Sequence, residues 1–194
     1  MHSTLSHLTD AKWGLASAEI HADTRRENME DVRSNCHQQS FTDNFFLQYE
    51  GLIDLHEEKY AVPGEALYKA AVKALKTNPR YAKFSEPIDY TWFELWHHEG
   101  RRARHAASMQ APDYTHWHGT YDLAKNWNSK FLPEIREIIH RFGESAPEEV
   151  AALEQLLEET LNSENHRWSI NEEDEAVKAE REKRQEEFRA KYKK

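Results

Sequence analysis

Trp92–Gly119 reads WFELWHHEGRRARHAASMQAPDYTHWHG. Its aromatic positions Trp92, Phe93 and Trp96 continue from Tyr90 with helical spacing, behind a Pro87 that suits the first turn of a helix. A helix is therefore expected from Pro87 to about Met109. Ala111-Pro112 breaks it, because proline lacks an N–H and its ring crowds the preceding turn. A second helix is expected from about Asp113, carrying Tyr121, Leu123, Trp127 and Phe131, with Pro133 as a bend or restart.

Outward from this stretch the pattern stays helical. Strand signals are almost absent, and the six glycines and six prolines fall between segments of helical spacing, so the chain is expected to be all-α. A short lead-in over residues 1–21 precedes a helix that Asp23-Thr24 can cap and that runs to about His37. Thr42 or Asp43 starts the next, burying Phe45, Phe46, Tyr49, Leu52, Ile53 and Leu55 or His56. Pro63 opens a helix through Leu75, and residues 77–87 form a loop. Gly143–Pro147 is a turn, after which Val150, Leu153, Leu156, Leu157 and Leu161 share one helix face. From Asn171 the chain is almost wholly polar, with favourable i,i+4 pairs at Asp174–Lys178, Glu180–Arg184 and Glu187–Lys191. The expected organisation is a lead-in (1–21), a helical domain holding the histidines (22–143), and C-terminal helices with a charged tail (144–194).

Composition excludes several function classes. The 194 residues carry a formal charge of −9, with basic residues only in local clusters, so no nucleic-acid partner is expected. No apolar run is long enough for a membrane span. The first thirty residues show no charged segment followed by an apolar one, so no signal peptide is visible. One cysteine forbids an internal disulfide. With 38% hydrophobic and 31% charged residues, part of the chain is expected to pack against partners.

Chemistry concentrates in the opening stretch. It holds five of the chain's twelve histidines, His97, His98, His105, His116 and His118, beside Arg101, Arg102 and Arg104. Imidazole is well suited to ligating iron or zinc and to moving protons near neutral pH. His98-Glu99 lacks the second histidine of an H-E-x-x-H zinc site, which argues against a metalloprotease. His98 and His105 share a helix face, with Arg101 and Arg102 nearby as cations for an anionic group. His116 and His118 point about 200° apart if helical and then serve different places. Tyr114 follows the Pro112 break, where a side chain can project outward. Elsewhere, Arg33-Ser34-Asn35-Cys36-His37 has the frame of the c-type haem motif C-x-x-C-H with arginine in the first cysteine position.

Ala22–Met29 (ADTRRENM), Cys36-His37, Asn44–Gly64 (NFFLQYEGLIDLHEEKYAVPG) and above all Trp92–Gly119 resemble the C-terminal region of the hydroxylamine oxidoreductase family. These are octahaem c-type cytochromes, and the resemblance spans roughly residues 20–140. It implies a multihaem-cytochrome-type helical domain with long C-terminal helices. It implies haem c held through one thioether at Cys36 with His37 as axial ligand. His97, His98, His105, His116 and His118 match the block that supplies distal ligands. Tyr114 matches the tyrosine that cross-links the catalytic haem of a neighbouring protomer. The resemblance further implies a homotrimer in a periplasmic or equivalent compartment, a redox partner cytochrome, and oxidation of hydroxylamine or hydrazine. The chain departs from the family at Arg33 and at Ala106–Gln110, where the family often has Gly-Ala-Ser-Met-Met. It also lacks the other haem-attachment motifs, so the remaining haems would belong to another region or a separate chain. Two alternatives stay open: a haem-free structural or assembly subunit on the same scaffold, and a helical His-rich protein that binds zinc or non-haem iron.

Overall fold

The computed structural model describes residues 22–170 and 175–192, and every regular element among them is helical. The expected all-α fold is thus observed. The lead-in of residues 1–21 and the Asp174–Lys178 pair fall wholly or partly outside the described residues. Helix α1 spans Ala22–Ser34, α2 Gln39–His56 and α3 Val62–Leu75. Helix α4 spans Pro87–Phe93, α5 Gly100–Ser108 and the single turn α6 Pro112–Tyr114. Then come α7 (Asp122–Asn126), α8 (Leu132–Phe142), α9 (Pro147–Asn162) and α10 (Glu175–Tyr192).

Between these lie π-helical segments at Glu57–Ala61, Glu94–Glu99, Thr115–Tyr121 and Trp127–Phe131. Each widens the backbone ring by one residue and so changes which side chains share a face. The last of them runs directly into α8, where Pro133 stands in the first turn. The expected restart at Pro133 is seen, and the missing proline N–H falls where a helix start tolerates it.

The described residues form two compact units that are not contiguous in sequence. One combines the chain up to Glu57 with Trp96–Ala124; the other combines Glu58–Leu95 with the chain from Lys125 onward. In the first unit, α2 buries Phe46, Tyr49, Ile53 and His56 of the expected face, and Thr42 besides, while the expected Phe45 and Leu52 are half-buried and Leu55 is exposed. Helix α2 begins earlier than Thr42, because Gln38 already holds the extended conformation of an N-cap residue. Helix α1 begins at Ala22, so Asp23 sits in its first turn, where a negative charge suits the helix dipole.

The second unit is built on a layer of large side chains. Trp127, Phe131, Leu67, Ile88, Ile135 and Leu153 are fully buried. His166 stacks on Trp127 at 5.2 Å and its Nε2 lies 2.6 Å from the Lys59 carbonyl oxygen, which ties the end of the helical region to the core. Asp89, only 2% exposed, organises the start of α4. It accepts hydrogen bonds from the hydroxyls of Tyr68 (2.7 Å) and Tyr81 (2.9 Å) and from the backbone N–H of Phe84 (3.1 Å). Phe84 has a positive φ of 66°, uncommon for a non-glycine residue, and its bond to Asp89 helps hold it there. Asp89→Asn replaces a carboxylate oxygen with an amide that meets donors with donors. It is expected to lower unfolding free energy by about 2 kcal/mol, readable as a shifted urea midpoint at unchanged slope.

The tail beyond residue 174 is a helix whose described side chains are exposed, with the Glu180–Arg184 pair formed as its spacing predicts.

Candidate functional site

The histidine-bearing stretch folds back on itself within the first unit. Helix α5 ends in a left-handed turn at Gln110 (φ 55°). The Gln110 N–H donates to the Ala107 carbonyl at 3.1 Å and the Ala111 N–H to that of Ala106 at 2.9 Å. This pair of bonds satisfies carbonyls that a helix end otherwise leaves open, and it reverses the chain. Pro112 then starts the next turn with its φ already suited to a helix. The returning segment Thr115–Tyr121 packs closely on α5, with Gly119 against Ala103: a Cβ at Gly119 would lie 2.6 Å from the Ala103 Cα.

The reversal brings separated candidates together. His97, His98, Arg101, Arg102, His105 and Tyr114 border one open cavity of about 420 Å³. The face predicted for His98 and His105 is therefore present, with both arginines on it. Tyr114 is about half exposed and its ring lies 5.0 Å from that of His118. The rings of His97 and His98 are 5.3 Å apart.

The H-x-H pair divides as a helical backbone requires. His116 borders a second cavity, of about 500 Å³, together with Phe45, Tyr49, Leu52 and Thr120. His118 is turned instead toward Tyr114 and Asp122, its Nδ1 3.9 Å from the Asp122 carboxylate.

Cys36 and His37 border neither of these cavities. Both are exposed on the turn that ends α1, where their backbone N–H groups donate to the Arg33 carbonyl at 3.0 and 2.9 Å. The His37 ring stacks on Phe41 at 4.6 Å. Arg33, in the first cysteine position of the motif, places its guanidinium 4.3 Å from the Phe45 ring centroid and 5.2 Å from that of Phe46. Phe45 in turn borders the His116 cavity.

Two features of the site go beyond what residue spacing gives. One is that the π segments Glu94–Glu99 and Thr115–Tyr121 hold His97, His98, His116 and His118. Wide turns of this kind recur where a helix presents functional groups. The other is a buried polar layer behind α5. His56 is 5% exposed, and its Nδ1 has no hydrogen-bond partner. Burial, with a smaller contribution from the Arg104 cation, holds its pKa down at about 4. Arg104 donates from Nε to the Gly100 carbonyl at 3.1 Å and lies over Trp96 at 5.4 Å. The spacing of α2 left Leu55 and His56 as alternatives for its buried face, and the structure buries His56; the Arg104 cation acting on it is what spacing does not give.

The donor set bears on what the site can hold. Among the described residues no group of three or more His, Cys, Asp or Glu is arranged to bind a metal ion. A bare zinc or iron centre needs such a cluster, whereas a porphyrin supplies four nitrogens and asks the protein only for axial ligands. The imidazoles on one open face fit the second demand, while Cys36 and His37 lie outside that cavity. No family model, curated protein or solved structure matches this chain, so any functional reading stands on these residues and their geometry.

Proposed function

We propose that this chain is the haem-binding C-terminal part of a hydroxylamine-oxidoreductase-like multihaem cytochrome c. The observation that carries the reading is the convergence of His97, His98, His105 and Tyr114 on one open cavity, inside the stretch that resembles the family. In this reading Cys36 would hold the haem through a thioether and His37 would ligate its iron, with a second imidazole from His97, His98, His105, His116 or His118. Bound haem c supplies one-electron transfer. Tyr114, exposed at the reversal, extends toward the catalytic haem of a neighbouring protomer. Exposed Trp96, Trp117 and Tyr121 are the kind of surface that a homotrimer would cover. The catalytic haem, acting on hydroxylamine or hydrazine, and the other haems would come from another region or a separate chain. Electrons would pass to a partner cytochrome in an extracytoplasmic compartment. No helix among the described residues is long and apolar enough to cross a membrane.

The test is the chain produced in a host that attaches haem to cysteine. The expected product is coloured, keeps its Soret band through acid-acetone extraction, and has an intact mass greater by one haem. Cys36→Ala is expected to abolish the covalent increment. A folded, colourless chain of unmodified mass overturns the proposal. Arg33, seated on Phe45 where the motif has a cysteine, favours the second reading of a haem-free structural subunit. That reading expects a stable oligomer with no porphyrin in its mass.

A further inference from the structure

We propose that Arg101 and Arg102 make the His97–Tyr114 cavity an anion site whose ligand carries a pair of carboxylates on a flat body. The inference rests on the haem reading for the ligand's identity, a porphyrin with its two propionate side chains. The site itself is carried by charge and geometry.

The two guanidinium groups stand on consecutive residues of α5, about 100° apart around the helix axis, yet both border the same cavity. Neither makes an ion pair with any described carboxylate. Arg26, Arg141 and Arg184 by contrast each meet a glutamate. Among the described residues no Asp or Glu borders the cavity, although acidic residues outnumber Lys and Arg 35 to 26 in the chain. The remaining polar border is three imidazoles and a phenol. A cationic concavity on an anionic protein concentrates anions locally. Guanidinium is the group whose paired N–H bonds match a carboxylate edge. At about 420 Å³ the cavity is of small-molecule dimensions, within the usual ~300–1,000 Å³, and much larger than one oxyanion needs. Arginines side by side would meet two carboxylates on one ligand, while His97, His98 or His105 faces its body.

The experiment uses the full chain made without haem. It is titrated separately with iron protoporphyrin IX, with the dimethyl ester of that porphyrin, and with sulfate, followed by absorbance and calorimetry. The same is done with an Arg101→Gln/Arg102→Gln double variant. Both arginines are exposed, so the variant is expected to keep its helical circular dichroism. The expected result is binding of the dicarboxylate porphyrin at least tenfold tighter than the diester, with the gap abolished in the double variant. Sulfate that binds while neither porphyrin does, and that is lost in the double variant, keeps the anion site and sinks the haem reading. Equal binding of both porphyrins with a low-spin spectrum leaves the haem reading standing and overturns the clamp. Absence of all binding overturns both.

Discussion

Gly119→Ala is expected to lower the unfolding free energy by about 3 kcal/mol, at the upper end of what overpacking costs. The added Cβ would lie 2.6 Å from the Ala103 Cα, 2.8 Å from its Cβ and 2.8 Å from its backbone nitrogen. Two of those three atoms are backbone, so no side chain can swing aside. The only relief is to push the Thr115–Tyr121 segment away from α5, and carbon atoms need about 3.5–4.0 Å between them. That movement also separates Tyr114 from His98, Arg101 and His105. On the proposed haem reading, Gly119→Ala should therefore weaken binding of iron protoporphyrin IX as well as stability. Gly51→Ala is the matched control, because nothing lies within 4 Å of a Cβ there. Removing a glycine from the middle of α2 should stabilise by about 0.5–1 kcal/mol. Urea melts of both variants check the pair. Equal midpoints for Gly119→Ala and the parent protein would refute the close packing.

The second large effect is acid lability. His56 is neutral in the folded protein down to a pH of about 4, whereas in the unfolded chain its value returns to about 6.5. Above 6.5 both states are neutral and the full stability is present. As pH falls below 6.5 the unfolded chain takes up a proton that the folded chain refuses. Stability then declines by about 1.4 kcal/mol per pH unit until the folded residue also protonates near 4. The total is about 3 kcal/mol for this one side chain. Besides burial, the Arg104 cation opposes protonation of the imidazole, and Glu57 acts on Arg104. His166 adds to the decline in the same direction, its value lowered chiefly by burial. Urea midpoints of the parent protein and of His56→Leu between pH 7 and pH 4 check this. The variant should have the flatter profile, and parallel profiles would show that His56 does not carry the effect.

Much of the fold could be read in advance because core burial here follows helical spacing. Phe46, Tyr49 and Ile53 in α2, and Val150, Leu153 and Leu157 in α9, lie where a period of 3.6 puts them. Pro87, Pro112 and Pro147 each open a helix, since a residue without an N–H loses nothing in a first turn. The π segments could not be read this way. A wide turn inserts one residue without changing composition, so spacing tests average over it. The division into two units was equally hidden, because it depends on contacts between distant stretches, α2 with α5 in the first unit and α3 with α9 in the second. At the candidate site, the shared face of His98, Arg102 and His105 follows from local geometry. The approach of Tyr114 to that face depends on the left-handed turn at Gln110, a residue whose identity gives no hint of it.

A π segment is what a helix keeps after gaining one residue, and this bears on how the chain tolerates insertion and deletion. Removing a single residue from Thr115–Tyr121 would let the ladder close as a regular α-helix. Everything beyond the cut would then rotate by about 100° relative to Tyr114. Gly119 would leave the face that meets Ala103, and a bulkier neighbour would take its place. The length of this stretch is accordingly a condition of the close packing of Gly119 on Ala103.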